Sequence, residues 1–123
     1  MKTPILPATA LTCEEFNRIY DLLLAPLDEH DEDAMELLTN LFTKAARYAD
    51  IRGTWLLKTR QEKMDEDSYR TSAHDSFITA VRMLSRFEGK ASSEWAGILD
   101  MDDRKRIGDF ACFLTAFRGI EAR

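Results

Sequence analysis

Three cationic or titratable side chains fall on the apolar faces of two predicted helices. Arg52 lies inside the apolar stripe of one helix, and His74 lies on the apolar face of the next helix, with Arg70 one turn earlier. The arginine fork binds carboxylate or phosphate groups, and a histidine can transfer a proton near neutral pH. The pattern therefore suggests an anion-binding or hydrolytic pocket lined by Arg52, Arg70 and His74.

A structural interpretation accounts for the same residues. The stem of Arg52 can pack along the stripe while its guanidinium pairs with one of the abundant carboxylates, and a lone histidine on an apolar face is usually a core or boundary residue. No activated serine or cysteine accompanies these residues, and no repeated carboxylate spacing defines a reaction. We therefore expect no catalytic residue.

A basic run near the carboxyl end suggests a second kind of site. Arg104, Lys105 and Arg106 follow a predicted turn at residues 100–102, as in helix-turn-helix proteins that contact DNA. The neighbouring acidic residues at positions 100, 102 and 103 cancel much of the positive field, so nucleic acid is not expected as a direct ligand. The alternative is a solvated face of a core helix.

Metal and cofactor sites are not indicated. Residues 28–33 read DEHDED and place His30 among carboxylates, but the spacing fits no calcium loop and lacks the required glycine. The acidic run instead favours the start of a helix, where exposed amide groups attract negative charge. Cys13 and Cys112 match no metal-ligand spacing. We expect no metal and no cofactor.

Composition and charge favour a single helical domain. The chain has 123 residues, of which 45% are hydrophobic and 32% charged, with five Gly and three Pro. These values fit one all-α domain spanning residues 1–123, with an irregular segment at residues 1–11. The net charge of -5 disfavours long-range attraction to nucleic acid or an anionic membrane. No signal peptide or spanning segment is evident, so a cytoplasmic location is expected.

Apolar spacing predicts two long helices after a short first one. Thr12 and Glu15 form a capping box that begins the first helix, and Pro26 ends it. The second helix follows the acidic run and continues through Leu56, if Gly53 does not interrupt it. Polar residues 64–68 mark the predicted turn into the third helix.

The remaining chain predicts one short helix and one longer helix. Gly89 can end the third helix, and a short fourth helix contains Trp95. Asp100, with Asp103 three residues on, is predicted to cap the fifth helix, which Gly119 can end. The fold class is therefore an all-α compact bundle of four to five helices, with a long antiparallel hairpin of the second and third.

Two stretches carry a resemblance to known proteins. Residues 72–86, SAHDSFITAVRMLSR, and residues 103–114, DRKRIGDFACFL, resemble segments of small uncharacterised helical proteins from Firmicute-type bacteria and their mobile elements. The resemblance implies a bacterial cytoplasmic setting and brings no assigned activity. Small acidic proteins of such origin often block a larger machine, so inhibition of a nucleic-acid-processing enzyme through an acidic surface is an alternative function.

The first functional hypothesis is a non-enzymatic interaction or regulatory module. The sequence has clear helix caps and apolar stripes but no group of residues that defines a reaction. Trp55, Tyr69 and Trp95 are candidates for a partner surface, because aromatic side chains dominate interface energies. The expected partner is a protein, which includes a second copy of the chain.

Overall fold

Five α-helices make up the described part of the chain. The computed structural model describes residues 10–87 and 94–118. Its helices are α1 (Cys13–Leu23), α2 (Glu32–Trp55), α3 (Arg60–Arg86), α4 (Glu94–Leu99) and α5 (Arg104–Phe113), and a π-helical turn, Leu114–Arg118, continues α5. The predicted all-α bundle is confirmed. Gly89, Gly119 and residues 1–9 of the predicted irregular segment lie outside the described residues.

Helix α1 begins at the capping box that the sequence analysis predicted. The backbone N–H of Glu15 donates to the Thr12 hydroxyl over 3.0 Å, and the backbone N–H of Thr12 donates to the Glu15 carboxylate over the same distance. This reciprocal capping box satisfies two amide groups that the first helical turn leaves unpaired. α1 ends at Leu23, three residues before the proline at position 26.

The helices α2 and α3 form an antiparallel hairpin with extensive contact. The ring centroids of Tyr48 and Phe77 are 6.4 Å apart, and the guanidinium carbon of Arg70 lies 4.3 Å from the ring centroid of Trp55. Later residues of α2 therefore meet earlier residues of α3. Gly53 lies inside α2, which continues unbroken to Trp55.

The turn of this hairpin comes earlier than the sequence analysis placed it. α2 ends at Trp55 and α3 begins at Arg60, so the predicted turn at residues 64–68 is wrong. The physical reason is a second capping box. The backbone N–H of Glu62 donates to the Thr59 hydroxyl over 3.1 Å, and that of Thr59 donates to the Glu62 carboxylate over 2.8 Å. The polar residues 64–68 belong to α3.

Three phenylalanines join different helices in the core. Phe16 of α1, Phe77 of α3 and Phe110 of α5 are all fully buried. The ring centroids of Phe16 and Phe110 are 5.7 Å apart, and those of Phe77 and Phe110 are 6.0 Å apart, which are favourable separations for aromatic pairs. Helix α5 therefore lies at the centre of the bundle, in contact with α1, α2 and α3.

The connection between α4 and α5 differs from the prediction in its capping residue. Asp103, not Asp100, caps α5, since its carboxylate accepts from the backbone N–H groups of Lys105 and Arg106. Asp100 ends α4 instead. Its φ of 61° lies in the left-handed region, which Asp tolerates better than most residues. Its backbone N–H donates to the carbonyl of Ala96 over 2.9 Å.

No helix within residues 10–87 and 94–118 has both the length and the apolar character needed to cross a membrane.

Candidate functional site

Arg52 and Asp109 form an ion pair that joins α2 to α5. The Arg52 Nη1 atom lies 3.0 Å from Asp109 Oδ1, and Asp109 is only 4% exposed. A charge in an apolar interior is stable when it is paired and hydrogen-bonded. The structure therefore gives Arg52 a carboxylate partner in the core. Sequence reasoning missed Asp109.

The second carboxylate oxygen of Asp109 binds the segment before α1. The backbone N–H groups of Ala10 and Leu11 donate to Asp109 Oδ2 over 2.6 and 3.0 Å. Leu11 is fully buried, so these bonds anchor an apolar side chain in the core. Both oxygens of Asp109 have hydrogen-bond partners within the fold. This residue links α2, α5 and the chain entering α1.

The electrostatic surroundings keep Arg52 charged. Burial by itself lowers the pKa of the guanidinium, but the hydrogen bond to Asp109 and the attraction of nearby groups outweigh it, and the pKa lies above its ordinary value. Arg52 therefore acts as a fixed cation. It is not a proton donor at neutral pH.

The neighbouring thiol of Cys112 is not activated by this cation. Its sulfur lies 3.9 Å from Arg52 Nη1. Burial raises the pKa of the Cys112 thiol, and this effect exceeds the opposite influence of Arg52. A nucleophilic cysteine needs a lowered pKa, so the surroundings of Cys112 suit a structural residue.

Gly108 makes room for the Arg52 side chain. A Cβ atom at position 108 would lie 2.5 Å from the Cδ and Nε atoms of Arg52, much closer than van der Waals contact. Any larger residue must therefore shift the end of the Arg52 side chain. Gly53, by contrast, has nothing within 4 Å of the position that a Cβ would occupy.

These two glycines predict alanine substitutions of opposite sign. Gly108→Ala is expected to lower the free energy of unfolding by about 1 kcal/mol net, because the shift of Arg52 away from Asp109 outweighs the gain of an alanine inside a helix. Gly53→Ala is expected to raise it by about 1 kcal/mol, since alanine favours a helix interior. Chemical denaturation of both variants measures the difference. Stabilisation by Gly108→Ala would contradict the close packing on Arg52.

Arg106 is also used inside the fold. Its guanidinium donates to the backbone carbonyls of Ala10 over 2.6 Å and Leu99 over 3.1 Å, and to that of Ile98. It further pairs with the Glu15 carboxylate at 3.0 Å. The Thr12 backbone hydrogen bond, followed by the Arg106 side chain, lowers the pKa of Glu15 below its usual value.

This placement separates Arg106 from the rest of its basic run. Only 17% of its side-chain surface is exposed, whereas Arg104 and Lys105 lie at the surface. The predicted nucleic-acid contact of Arg104, Lys105 and Arg106 is therefore not one continuous cationic surface. Two of the three side chains remain accessible to an external ligand.

Arg70 and His74 have contacts with residues of α2 and α3 other than Arg52. The Arg70 guanidinium lies over Trp55 and pairs with Asp67 at 2.8 Å. His74 Nδ1 lies 3.2 Å from a carboxylate oxygen of Asp75. Its ring meets that of Tyr48 edge-on, with centroids 5.4 Å apart. The guanidinium of Arg70 and the ring of His74 therefore both contact neighbouring residues of α2 and α3.

The predicted pocket of Arg52, Arg70 and His74 is not assembled as one open site. Arg52 is directed at Asp109, whereas Arg70 and His74 are directed at the aromatic rings of α2. The Arg70 Nε and His74 Nε2 atoms have no hydrogen-bond partner among the described residues, but both are buried. A ligand at the surface therefore does not reach either atom.

A shallow groove between α2 and α3 is a feature that sequence reasoning missed. It has a volume of about 570 Å³ and includes Asn40 and Lys44 of α2. The side of the groove formed by α3 is rich in hydroxyl groups, from Ser68, Thr71, Ser72, Ser76 and Thr79. Its lining carries one cation and one carboxylate, Lys44 and Asp75, and also includes the apolar residues Ala80 and Met83. The sequence signal that could have predicted the groove is the spacing of these serines and threonines, which recur every three or four residues and therefore share one face of α3.

The hairpin carries four exposed apolar side chains in and beyond the turn where α2 joins α3. Leu56 and Leu57 are 85% and 84% exposed, and Met64 and Tyr69 of α3 are also exposed. We call these four residues the hairpin end. Leu56 was predicted to continue the apolar stripe of α2, which is wrong because the helix ends one residue earlier.

The aromatic residues predicted for a partner surface have different positions. Tyr69 belongs to the hairpin end, and Arg47 lies over its ring at 4.7 Å. Trp55 is half-buried beneath Arg70. Trp95 is buried in the core and does not belong to this surface, because α4 packs against α1.

Neither metal-ligand geometry nor comparison with known proteins assigns a function to these sites. Among the described residues, no group of three or more His, Cys, Asp or Glu side chains is placed to hold a metal ion. No protein-family model, curated protein or solved structure matches the chain.

Proposed function

We propose that this chain is a non-enzymatic module that binds another protein chain through the hairpin end. The observation that carries the proposal is the nearly complete exposure of two adjacent leucines, Leu56 and Leu57. Met64 and Tyr69 add two exposed apolar side chains on different sides of α3. The bacterial, mobile-element setting implied by the resemblance above belongs to the same proposal.

The energetics of apolar burial favour this surface as a contact site. Transfer of one leucine side chain from water to an apolar contact contributes about 1.5–3 kcal/mol. Scattered exposed apolar residues are common, but a cluster of large ones marks an interaction surface. Tyr69 adds an aromatic side chain, which suits an interface because it combines apolar area with a polar hydroxyl.

The internal use of the charged residues supports a role other than catalysis. Arg52, Asp109 and Arg106 have their partners inside the fold. A catalytic site requires such groups to reach a substrate. The groove between α2 and α3 contains hydroxyls but, among the described residues, no histidine or cysteine to activate them.

Site-specific photocrosslinking tests the proposal. A benzophenone amino acid replaces Leu57 in the full chain within its native cells, and the matched control carries it at Glu36, an exposed polar position on α2. We expect a covalent adduct to a protein from position 57 and none from position 36. Mass spectrometry identifies the adduct. Absence of an adduct at position 57, or equal adducts at both positions, would overturn the proposal.

A further inference from the structure

A self-complementary stripe runs along the first two turns of α3. Arg60, Met64 and Asp67 follow one another at spacings of four and three residues, which places them on one face of the helix. All three are exposed, and Met64 is 68% exposed. The stripe therefore presents a cation, an apolar side chain and a carboxylate in that order.

The two charged ends of this stripe are suitably spaced for pairing with an identical stripe. Asp67 lies seven positions after Arg60, which corresponds to about 10 Å along the helix axis. When two copies of α3 lie antiparallel about a two-fold axis beside Met64, each Arg60 faces the Asp67 of the other copy. A two-fold interface is isologous and requires this kind of internal complementarity.

The carboxylate of this stripe is held by a neighbour on α3. Lys63 and Asp65 flank Met64 at about 100° to either side around the helix, so they lie off the stripe. Arg70 pairs with Asp67 at 2.8 Å, while 58% of the Asp67 side chain stays exposed. Arg70 thus positions the carboxylate and leaves it accessible to a second cation.

We infer that the partner of the hairpin end is a second copy of this chain, paired antiparallel along the first two turns of α3. The inference rests on the proposed function and specifies its partner. Leu56 and Leu57 lie in the turn before α3 and supply exposed apolar area close to its start in sequence. Each copy has a net charge of -5, which opposes association, so the local pairing of opposite charges decides the orientation.

Charge reversal provides the central test. One variant carries Arg60→Glu, and the other carries Asp67→Lys. Light scattering of the wild type is expected to give twice the chain mass of 14.1 kDa. Each variant alone is expected to dimerise at least about tenfold more weakly, because like charges then face each other. An equimolar mixture is expected to restore the dimer.

Crosslinking gives an independent readout of the register. In a Cys13→Ser background, a short bismaleimide is expected to join copies that carry Met64→Cys. Met83→Cys is the control, because Met83 is an exposed methionine near the other end of α3. Equal crosslinking at both positions would overturn the antiparallel arrangement.

The outcomes separate this inference from the proposed function. A monomeric wild type, or a mixture of charge variants that stays monomeric, would overturn the inference. A monomer whose position 57 crosslinks to a different protein would overturn it and leave the proposed function standing. Binding of the monomer to anionic phospholipid vesicles through Leu56 and Leu57 would also overturn it.

Discussion

Asp109→Ala is expected to lower the free energy of unfolding by about 2–4 kcal/mol, because it removes a buried carboxylate on which the part-exposed Arg52 and two backbone N–H groups converge. The same change removes the acceptor for the backbone N–H groups of Ala10 and Leu11. A loss of this size is a large fraction of the stability of a small domain. Urea denaturation followed by circular dichroism measures it.

A matched control and a second substitution test the cause. Asp102→Ala changes an exposed aspartate in the connection before α5, and its effect is expected to stay within about 0.5 kcal/mol. Arg52→Met is expected to destabilise the wild type more than it destabilises the Asp109→Ala variant, since the pair is already broken there. Additive effects of the two substitutions would contradict a direct coupling between Arg52 and Asp109.

Arg106→Ala is expected to lower the free energy of unfolding by about 2–3 kcal/mol, because the charged side chain makes several hydrogen bonds at once. It removes the donor to the carbonyls of Ala10, Ile98 and Leu99 and the partner of Glu15. Arg106→Lys is expected to recover only part of this loss, since an ammonium group lacks the planar fork of donors.

Arg104→Ala provides the control for this second prediction. Arg104 is exposed on the same helix, so its removal is expected to change the free energy of unfolding by no more than about 0.5 kcal/mol. Thermal and urea denaturation of both variants give the comparison. Equal effects at positions 104 and 106 would show that the internal hydrogen bonds of Arg106 contribute little.

Local sequence signals predicted the helices well. Thr12 and Glu15 predicted the start of α1, and apolar spacing predicted the bundle and its long hairpin. The turn was misplaced because a polar segment at residues 64–68 resembles a loop, whereas the capping box at Thr59 and Glu62 decides where α3 begins. Residues 100–103 include three aspartates, each of a type that caps helices, so the sequence alone did not identify the one that caps α5.

The burial of Asp109 and the exposure of Leu56 depend on tertiary structure, so the sequence analysis did not predict them. Asp109 lies on the side of α5 opposite the apolar stripe of Ile107 and Phe110, so helical periodicity predicts that it is exposed. It is buried because the segment before α1 and the Arg52 side chain cover that second side. The exposure of Leu56 likewise depends on where α2 ends, which its apolar character does not indicate.

The bonds from Asp109 to the backbone of Ala10 join residues 99 positions apart, which affects the order of events during translation. The α2–α3 hairpin depends on contacts nearer in sequence and can form as soon as both helices have left the ribosome. The hydrogen bonds from the backbone of Ala10 and Leu11 to Asp109 can form only after α5 has left the ribosome. Helix α1 therefore reaches its final position only after helices that are synthesised later.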